Sequence, residues 1–295
     1  MRALLLSGHT TVRRTMAAAP AVLREPMAVA SGVIVLGLVA TAIFAPQLAP
    51  YPPNDTALAS YRAPGSGALL GTDKLGRDIL SRLIWGARIT LYVGVISVGV
   101  SITLGTLWGI VTAYIGGFVD TLTQRCVDTL MALPPIVLAL SIMAAVGQST
   151  NNVILALGTL LAPTAIRTVR PIVLSMRETA FVEAARGIGC SRARIVCRHI
   201  VPNCLSIYIV LFTINMGYAV VVEASLSFLG VGIPLDEPSW GGMLAASMAD
   251  AARAPWLLIF PAIAIFVAVL GLNLLGDTVR DLSDPRTRRE RRHGP

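Results

Sequence analysis

Residues 178–203 read ETAFVEAARGIGCSRARIVCRHIVPN, a polar, arginine-rich island between two long apolar runs. An apolar chain that keeps a charged, helix-compatible loop of this length presents it to something in the water. Glu183 and Arg186 stand three positions apart and can pair on one side of a helical turn. Ala184, Ala185 and Ile188 then offer a small, apolar surface on which a partner can approach closely. Gly187 and Gly189 end or bend that helix. Ser191 is placed to cap a second short helix through Arg192, Arg194, Ile195, Val196 and His199. Pro202 suits the first turn of the apolar helix that follows. A helix–break–helix of this kind is a plug for a socket on a soluble partner.

Outward from the island the chain is built for a bilayer. Of its 295 residues 55% are hydrophobic and only 14% are charged, against about 25% charged in an average soluble domain. Apolar runs of about 20 residues mark membrane-spanning helices. Six are read, at 27–48, 91–114, 127–146, 153–173, 205–222 and 256–275. The expected fold class is therefore all-α: a polytopic membrane protein with six transmembrane helices. Residues 1–26 form a cytoplasmic tail, and 27–89 hold the first helix and an extracytoplasmic segment. Residues 90–279 form a five-helix core that includes 178–203, and 280–295 form a basic cytoplasmic tail.

An even number of spans places both termini on one side, and the arginines say which. The internal set is Arg2, Arg13, Arg14, Arg24, Arg125, Arg167, Arg170, Arg177, Arg186, Arg192, Arg194, Arg198, Arg280, Arg286, Arg288, Arg289, Arg291 and Arg292, eighteen of the 24 Lys and Arg residues. That asymmetry follows the positive-inside rule and accounts for the net charge of +8 without nucleic acid. A basic nucleic-acid binder needs a basic face with aromatic platforms on a soluble domain. Arg13-Arg14 is read as part of a cytoplasmic tail before an uncleaved first span and not as a twin-arginine signal. Cys126, Cys190, Cys197 and Cys204 all map to the cytoplasmic side and are expected to be reduced, packing thiols. The last three recur every seven residues, as on one helical stripe.

Several features speak to packing and passage. Between the first two spans, Ile79, Leu80, Leu83, Ile84 and Ala87 share one helical face, and Asp78 and Arg82 stand at i,i+4. That pattern predicts a short interfacial helix ahead of the second span, with Trp85 near the headgroups. Lys74, Arg77, Arg82 and Arg88 there run against the charge bias. The second span carries Ser97, Ser101, Gly105, Gly109 and Ala113 at four-residue steps, a packing face within the subunit or against a second one. Pro134-Pro135 kinks the third span, whose cytoplasmic end pairs Arg125 with Asp128. Arg167 and Arg170 either line a water-filled pathway or reach to headgroups. Asn215 and Glu223 are the remaining candidates for lining a pathway, and Glu223 is also placed for a structural hydrogen-bonding role. Glycines and prolines between 229 and 242 predict irregular backbone near the outer surface.

The chain also lacks an engine. A phosphate-binding loop needs the lysine of Gly-x-x-x-x-Gly-Lys-Ser/Thr, and the single lysine, Lys74, is flanked by Asp73 and Leu75. His9, His199 and His293 have no metal spacing, and no nucleophile–base constellation suggests an enzyme. If the protein transports, its energy comes from another chain.

Glu183-Ala184-Ala185, three residues, Gly189, and a proline thirteen positions later resemble the EAA signature of permease subunits of bacterial ATP-binding-cassette importers. His199 stands where isoleucine is usual and Val201 where leucine is, and the HIVPN form resembles the peptide-transport branch. LGTDKLGRDILSRLIWGARI, YIGGFVDTLTQRCVDTLMALPP, ASLSFLGVGIPLDEPSWGGML and NLLGDTVRDLSDPR, in this order, are each similar to segments of DppC/OppC-type permeases, covering 27–286. The resemblance implies a type I (MetI-like) permease fold with a cytoplasmic coupling helix. Its ATPase-coupling positions are Glu183, Ala184, Ala185, Arg186, Gly187 and Gly189. It implies a bacterial inner-membrane location and a second homologous, DppB/OppB-like permease. It also implies two ABC ATPase subunits (DppD/DppF-like) and an extracytoplasmic substrate-binding protein or lipoprotein. No cofactor is implied in this chain, since ATP and Mg bind the partner ATPases. The implied substrates are di- or oligopeptides, with nickel or haem as alternatives within the family. A self-powered carrier or channel is the alternative outside it.

Overall fold

The computed structural model describes residues 26–65 and 67–283. The two terminal tails read from the sequence lie almost wholly outside these residues. Everything regular within them is helical: α1 (Pro26–Ile43), α2 (Ala45–Leu48), α3 (Ile79–Ile115), α4 (Gly117–Met131), α5 (Pro135–Val146), α6 (Thr150–Arg177), α7 (Ala180–Gly187), α8 (Arg192–Ile195), α9 (Val201–Phe228), α10 (Trp240–Ser247) and α11 (Trp256–Ser283). A π-helical turn, Val196–Ile200, joins α8 to α9. Among the described residues five spans are long and apolar enough to cross a membrane, and α4 with α5 makes a sixth if that bent pair counts as one.

The two apolar stretches that depart from straight rods do so where proline or glycine dictates. Gly116 and Gly117 both have positive φ, so the chain turns sharply out of α3 into α4. Proline excludes the helical region for the residue before it. Pro134 is accordingly extended (φ −55°, ψ 129°), Pro135 opens a new helix, and α4 and α5 meet at 92°. The third span is thus broken outright and not a kinked rod. On α9, the ring of Pro202 collides with the carbonyl four residues back in a regular helix. The wider π turn immediately before α9 accommodates it.

The most extensive packing is α3 against α6, and the small-residue stripe makes it. Ser97, Ser101, Gly105, Gly109 and Ala113 are all buried. A Cβ on Gly105 would stand 2.7 Å from the Ala162 carbonyl oxygen and 2.9 Å from the Ala165 Cβ. The stripe therefore serves within the subunit, where backbone proximity replaces the water expulsion that membranes lack.

The separate interfacial helix expected before the second span does not form. Nothing between Ile79 and Leu91 breaks a helix, so the segment is the start of a continuous α3 of 37 residues. Asp78 does not pair with Arg82. It caps α3, accepting from the Ser81 amide at 2.8 Å and hydroxyl at 2.7 Å. Arg82 instead donates to the Pro53 carbonyl at 3.0 Å and Asn54 Oδ1 at 2.8 Å. These bonds tie residues 49–78 down as a cap on one end of the bundle. Asn54 Nδ2 reaches the Asp236 carbonyl at 2.7 Å, and the Arg253 guanidinium lies 4.3 Å over the Tyr61 ring. Burial, then a hydrogen bond to Asp250, pushes the Tyr61 phenol above its ordinary range. As expected, the backbone between α9 and α10 is irregular.

Candidate functional site

At the other end of α3 lies the island. Helix α7 ends in a left-handed glycine: Gly189 has φ +79°, its amide donates to the Arg186 carbonyl at 2.9 Å, and the Cys190 amide donates to Ala185 at 3.0 Å. Ser191 then caps α8, accepting from the Arg194 amide at 3.4 Å. The helix–break–helix is formed where the glycine and serine placed it.

Which face looks outward differs from the expected surface in one residue. Val182 and Ala185 are buried, in one core with Tyr114, Val173, Ile195 and Ile200. Ala185 is therefore a root of the motif. Ala184, Glu183, Arg186 and Gly187 are exposed, as is Gly189, and Ile188 is 81% exposed. The Glu183–Arg186 pair is not made: Arg186 lies 5.6 Å over the Tyr114 ring, which the turn after α6 brings beneath it. Glu183 takes part in none of the ion pairs among the described residues and sits in the first turn of α7, where a negative charge suits the helix dipole. Phe181, half-exposed and 6.0 Å from the His199 ring, extends the apolar ridge. Sequence reasoning missed Phe181, although it precedes the signature by only two residues. The result is an exposed ridge of Phe181, Ala184 and Ile188 with one acid, held from behind by core residues. The seven-residue cysteine stripe does not survive: Cys197 is exposed and Cys204 buried, because the π turn shifts the period.

The intramembrane arginines are neutralised by α4. Arg170 grips Asp120 in a two-pronged pair, Nε to Oδ1 at 2.9 Å and Nη2 to Oδ2 at 2.7 Å. Arg167 stands 3.7 Å from Asp128 and 3.7 Å from the Met131 sulfur. Asp128 thus pairs across to α6 and not with Arg125 on its own helix. Arg170 is a strut between α4 and α6 and not a free pathway charge.

Asn215 and Glu223, both on α9, separate in role. A cavity of about 340 Å³ opens between the α4–α5 break, α6 and α9, lined by Met131, Pro135, Thr159, Pro163, Asn215 and Tyr218. Asn215 turns one amide hydrogen to the Leu211 carbonyl at 2.7 Å. Glu223 is not among the residues lining this cavity. It is 1% exposed and accepts from Thr90 at 3.3 Å and Ser227 at 2.9 Å. Ser227 in turn accepts from the Ile233 amide, so Glu223 ties the irregular outer loop to α3.

The model of the binding-protein-dependent transport system inner membrane component matches residues 101–289. The N-terminal TM domain of oligopeptide transport permease C matches residues 22–64. A Brucella abortus biovar 1 (strain 9-941) protein, provisionally named a peptide transport system permease, is 42% identical over 259 residues, 88% of this chain and 87% of its own length. The glutathione transport system permease protein GsiD of Pectobacterium atrosepticum is 40% identical over 268 residues, 90% of this chain and 88% of its own. Its namesake from Escherichia coli O1:K1 is 40% identical over 267 residues, 89% and 88% of the two chains.

Proposed function

Since the chain belongs to the family of binding-protein-dependent transport system inner membrane components, we propose that it forms half of the membrane pathway of an ATP-driven peptide importer. It is a multi-span transport subunit of the inner membrane, and its family works with a second permease, ATPase subunits and a binding protein. The pathway would be completed by a DppB/OppB-like permease. Two DppD/DppF-like ATPases would sit beneath it, and a binding protein or lipoprotein would deliver peptide from outside. In this reading α7 and both termini face the cytoplasm and residues 49–78 face outward.

The observation that carries the coupling role is the ridge of Phe181, Ala184 and Ile188 on a rigid break whose other face is rooted in the core. Exposed apolar side chains on a buried-rooted turn gain by entering a groove on a soluble partner. Closure of the ATPases on ATP would move α7, and the core cluster would carry that motion into α3, α6 and α9. The cavity beside Asn215 and Tyr218 is the candidate stretch of pathway. Its lining is largely apolar with a few amide and hydroxyl groups. That suits a peptide more than nickel, which would require imidazole, thiolate or carboxylate donors there.

The test is uptake of radiolabelled di- and tripeptides into proteoliposomes carrying the assembled transporter. Uptake that requires ATP and binding protein supports the reading. Uptake by this chain alone, driven by an ion gradient, refutes it, and ATP-driven uptake of nickel or haem but not peptide refutes the substrate class.

A further inference from the structure

A second cavity lies away from α7 and from the candidate pathway. It measures about 600 Å³ and is walled by α1, α3, α9 and α11. Val39, Ile43, Tyr92, Val95 and Ile96 on its walls are substantially exposed, so it opens at the surface of the bundle. The lining is apolar except for Arg88, Thr213 and the Tyr92 hydroxyl, and the Thr213 hydroxyl is bonded to the Ile209 carbonyl of its own helix at 3.0 Å. Arg88 is thus the single charge.

Arg88 is one of the four basic residues that ran against the charge bias. Arg77 is paired with Asp73 at 2.6 Å, and Arg82 is absorbed by Pro53 and Asn54. Arg88 is exposed, lies 5.4 Å over the Trp85 ring, and takes part in none of the ion pairs among the described residues. Its level is set by its own helix. From Arg88 to Tyr114, which lies under α7, is about 39 Å of helix rise. That is the hydrocarbon thickness plus part of the headgroup layers. Below Arg88 the groove follows α3 to Ile96 and α1 from Ile43 to Val35, about 12 Å each. That depth covers most of one leaflet of about 15 Å.

We infer that this groove is a binding site for one anionic phospholipid, with an acyl chain along Val39, Tyr92 and Ile96 and the phosphate on Arg88. The guanidinium offers a planar pair of donors that a phosphate accepts, and Trp85 and Tyr92 stand where aromatic rings favour the interface. A helix of a partner protein is the poorer occupant. Helix contacts in lipid use small residues, as the Ser97–Ala113 stripe does against α6, whereas this groove is lined mostly by Val, Leu, Ile, Phe, Tyr and Met, with Ala42 and Thr213 as its small residues. The site keeps α1, which buries little of itself, seated on α3 and α11.

The experiment uses the full transporter complex in nanodiscs containing a photoactivatable phosphatidylglycerol with a diazirine on its acyl chain. Labelled peptides are mapped by mass spectrometry. Labelling is expected on the segments holding Val39 and Tyr92, competed by phosphatidylglycerol about tenfold better than by phosphatidylcholine. Arg88→Gln is expected to abolish that preference, Arg88→Lys to keep part of it, and Val39→Trp to block labelling with Arg88 intact. The complex should still elute as one species in every case. Equal competition by the two lipids, or labelling unchanged in Arg88→Gln, overturns the site. So does a photocrosslink to the second permease from a benzophenone amino acid placed at position 92, which would show that protein fills the groove.

Discussion

Replacing Gly189 by valine isolates the geometry on which coupling depends. A Cβ built on Gly189 meets nothing within 4 Å, so the substitution causes no collision. The cost is in the backbone: φ is +79°, and an L residue in the left-handed region costs about 1–2 kcal/mol, more when β-branched. The turn's two hydrogen bonds, Gly189 to Arg186 and Cys190 to Ala185, depend on that φ. A penalty of 1–2 kcal/mol shifts the balance between this turn and any alternative by about 5- to 30-fold. Because α7 is rooted through Ala185 and Val182, a changed turn displaces the Phe181–Ile188 ridge and leaves the bundle intact. Asparagine tolerates the left-handed region, so activity should fall in the order Gly, Asn, Ala, Val. The assay is substrate-stimulated ATP hydrolysis and peptide uptake by the reconstituted transporter, with membrane insertion checked by fractionation. Full stimulated hydrolysis in Gly189→Val would refute the reasoning. Equal loss in the Asn, Ala and Val variants would refute it too, by showing that any side chain at 189 impairs coupling whether or not it tolerates this φ.

Further substitutions test the other joints. Glu183→Lys reverses the acidic charge on the ridge, and stimulated ATP hydrolysis should fall several-fold with insertion unchanged. Asp120→Asn removes the charged half of the strut to Arg170 and should lower stability by about 1.5–3 kcal/mol, read as a reduced melting temperature in detergent; Arg170→Lys should recover only part of it. Gly105→Leu forces α3 away from the Ala162 carbonyl and should prevent folding, while Gly105→Ala should cost about 1–3 kcal/mol, both read by melting and proteolysis. Glu223→Gln keeps an acceptor for Thr90 or Ser227 and should leave ATP-driven uptake within about twofold, whereas a proton relay would lose it; Glu223→Ala should loosen the outer loop, seen as faster hydrogen exchange at 229–239.

The break at Gly189, the cap at Ser191 and the five to six spans were legible because each follows from a local cause. Helical length is written in the apolar runs, and a glycine followed by a capping serine acts within a few residues of itself. The mispaired charges have one origin. Pairing Arg125 with Asp128, Glu183 with Arg186 and Asp78 with Arg82 assumed that a charge takes the partner one helical turn away. The structure offered each of these chains something better from afar. Asp128 meets Arg167 on α6, Arg186 meets Tyr114 at the end of α3, and Arg82 meets Pro53 and Asn54 in the cap.

Hydrophobic length and the left-handed position were therefore determined by the amino-acid order alone, since each depends on a single residue or a short run. Which side of α7 faces out, which arginine is held by a carboxylate and which stands over a groove outside the ion pairs among the described residues depended on the neighbouring helices. Asp120 and Arg170 are 50 residues apart, and only the packing of α4 on α6 puts a carboxylate within reach of that guanidinium.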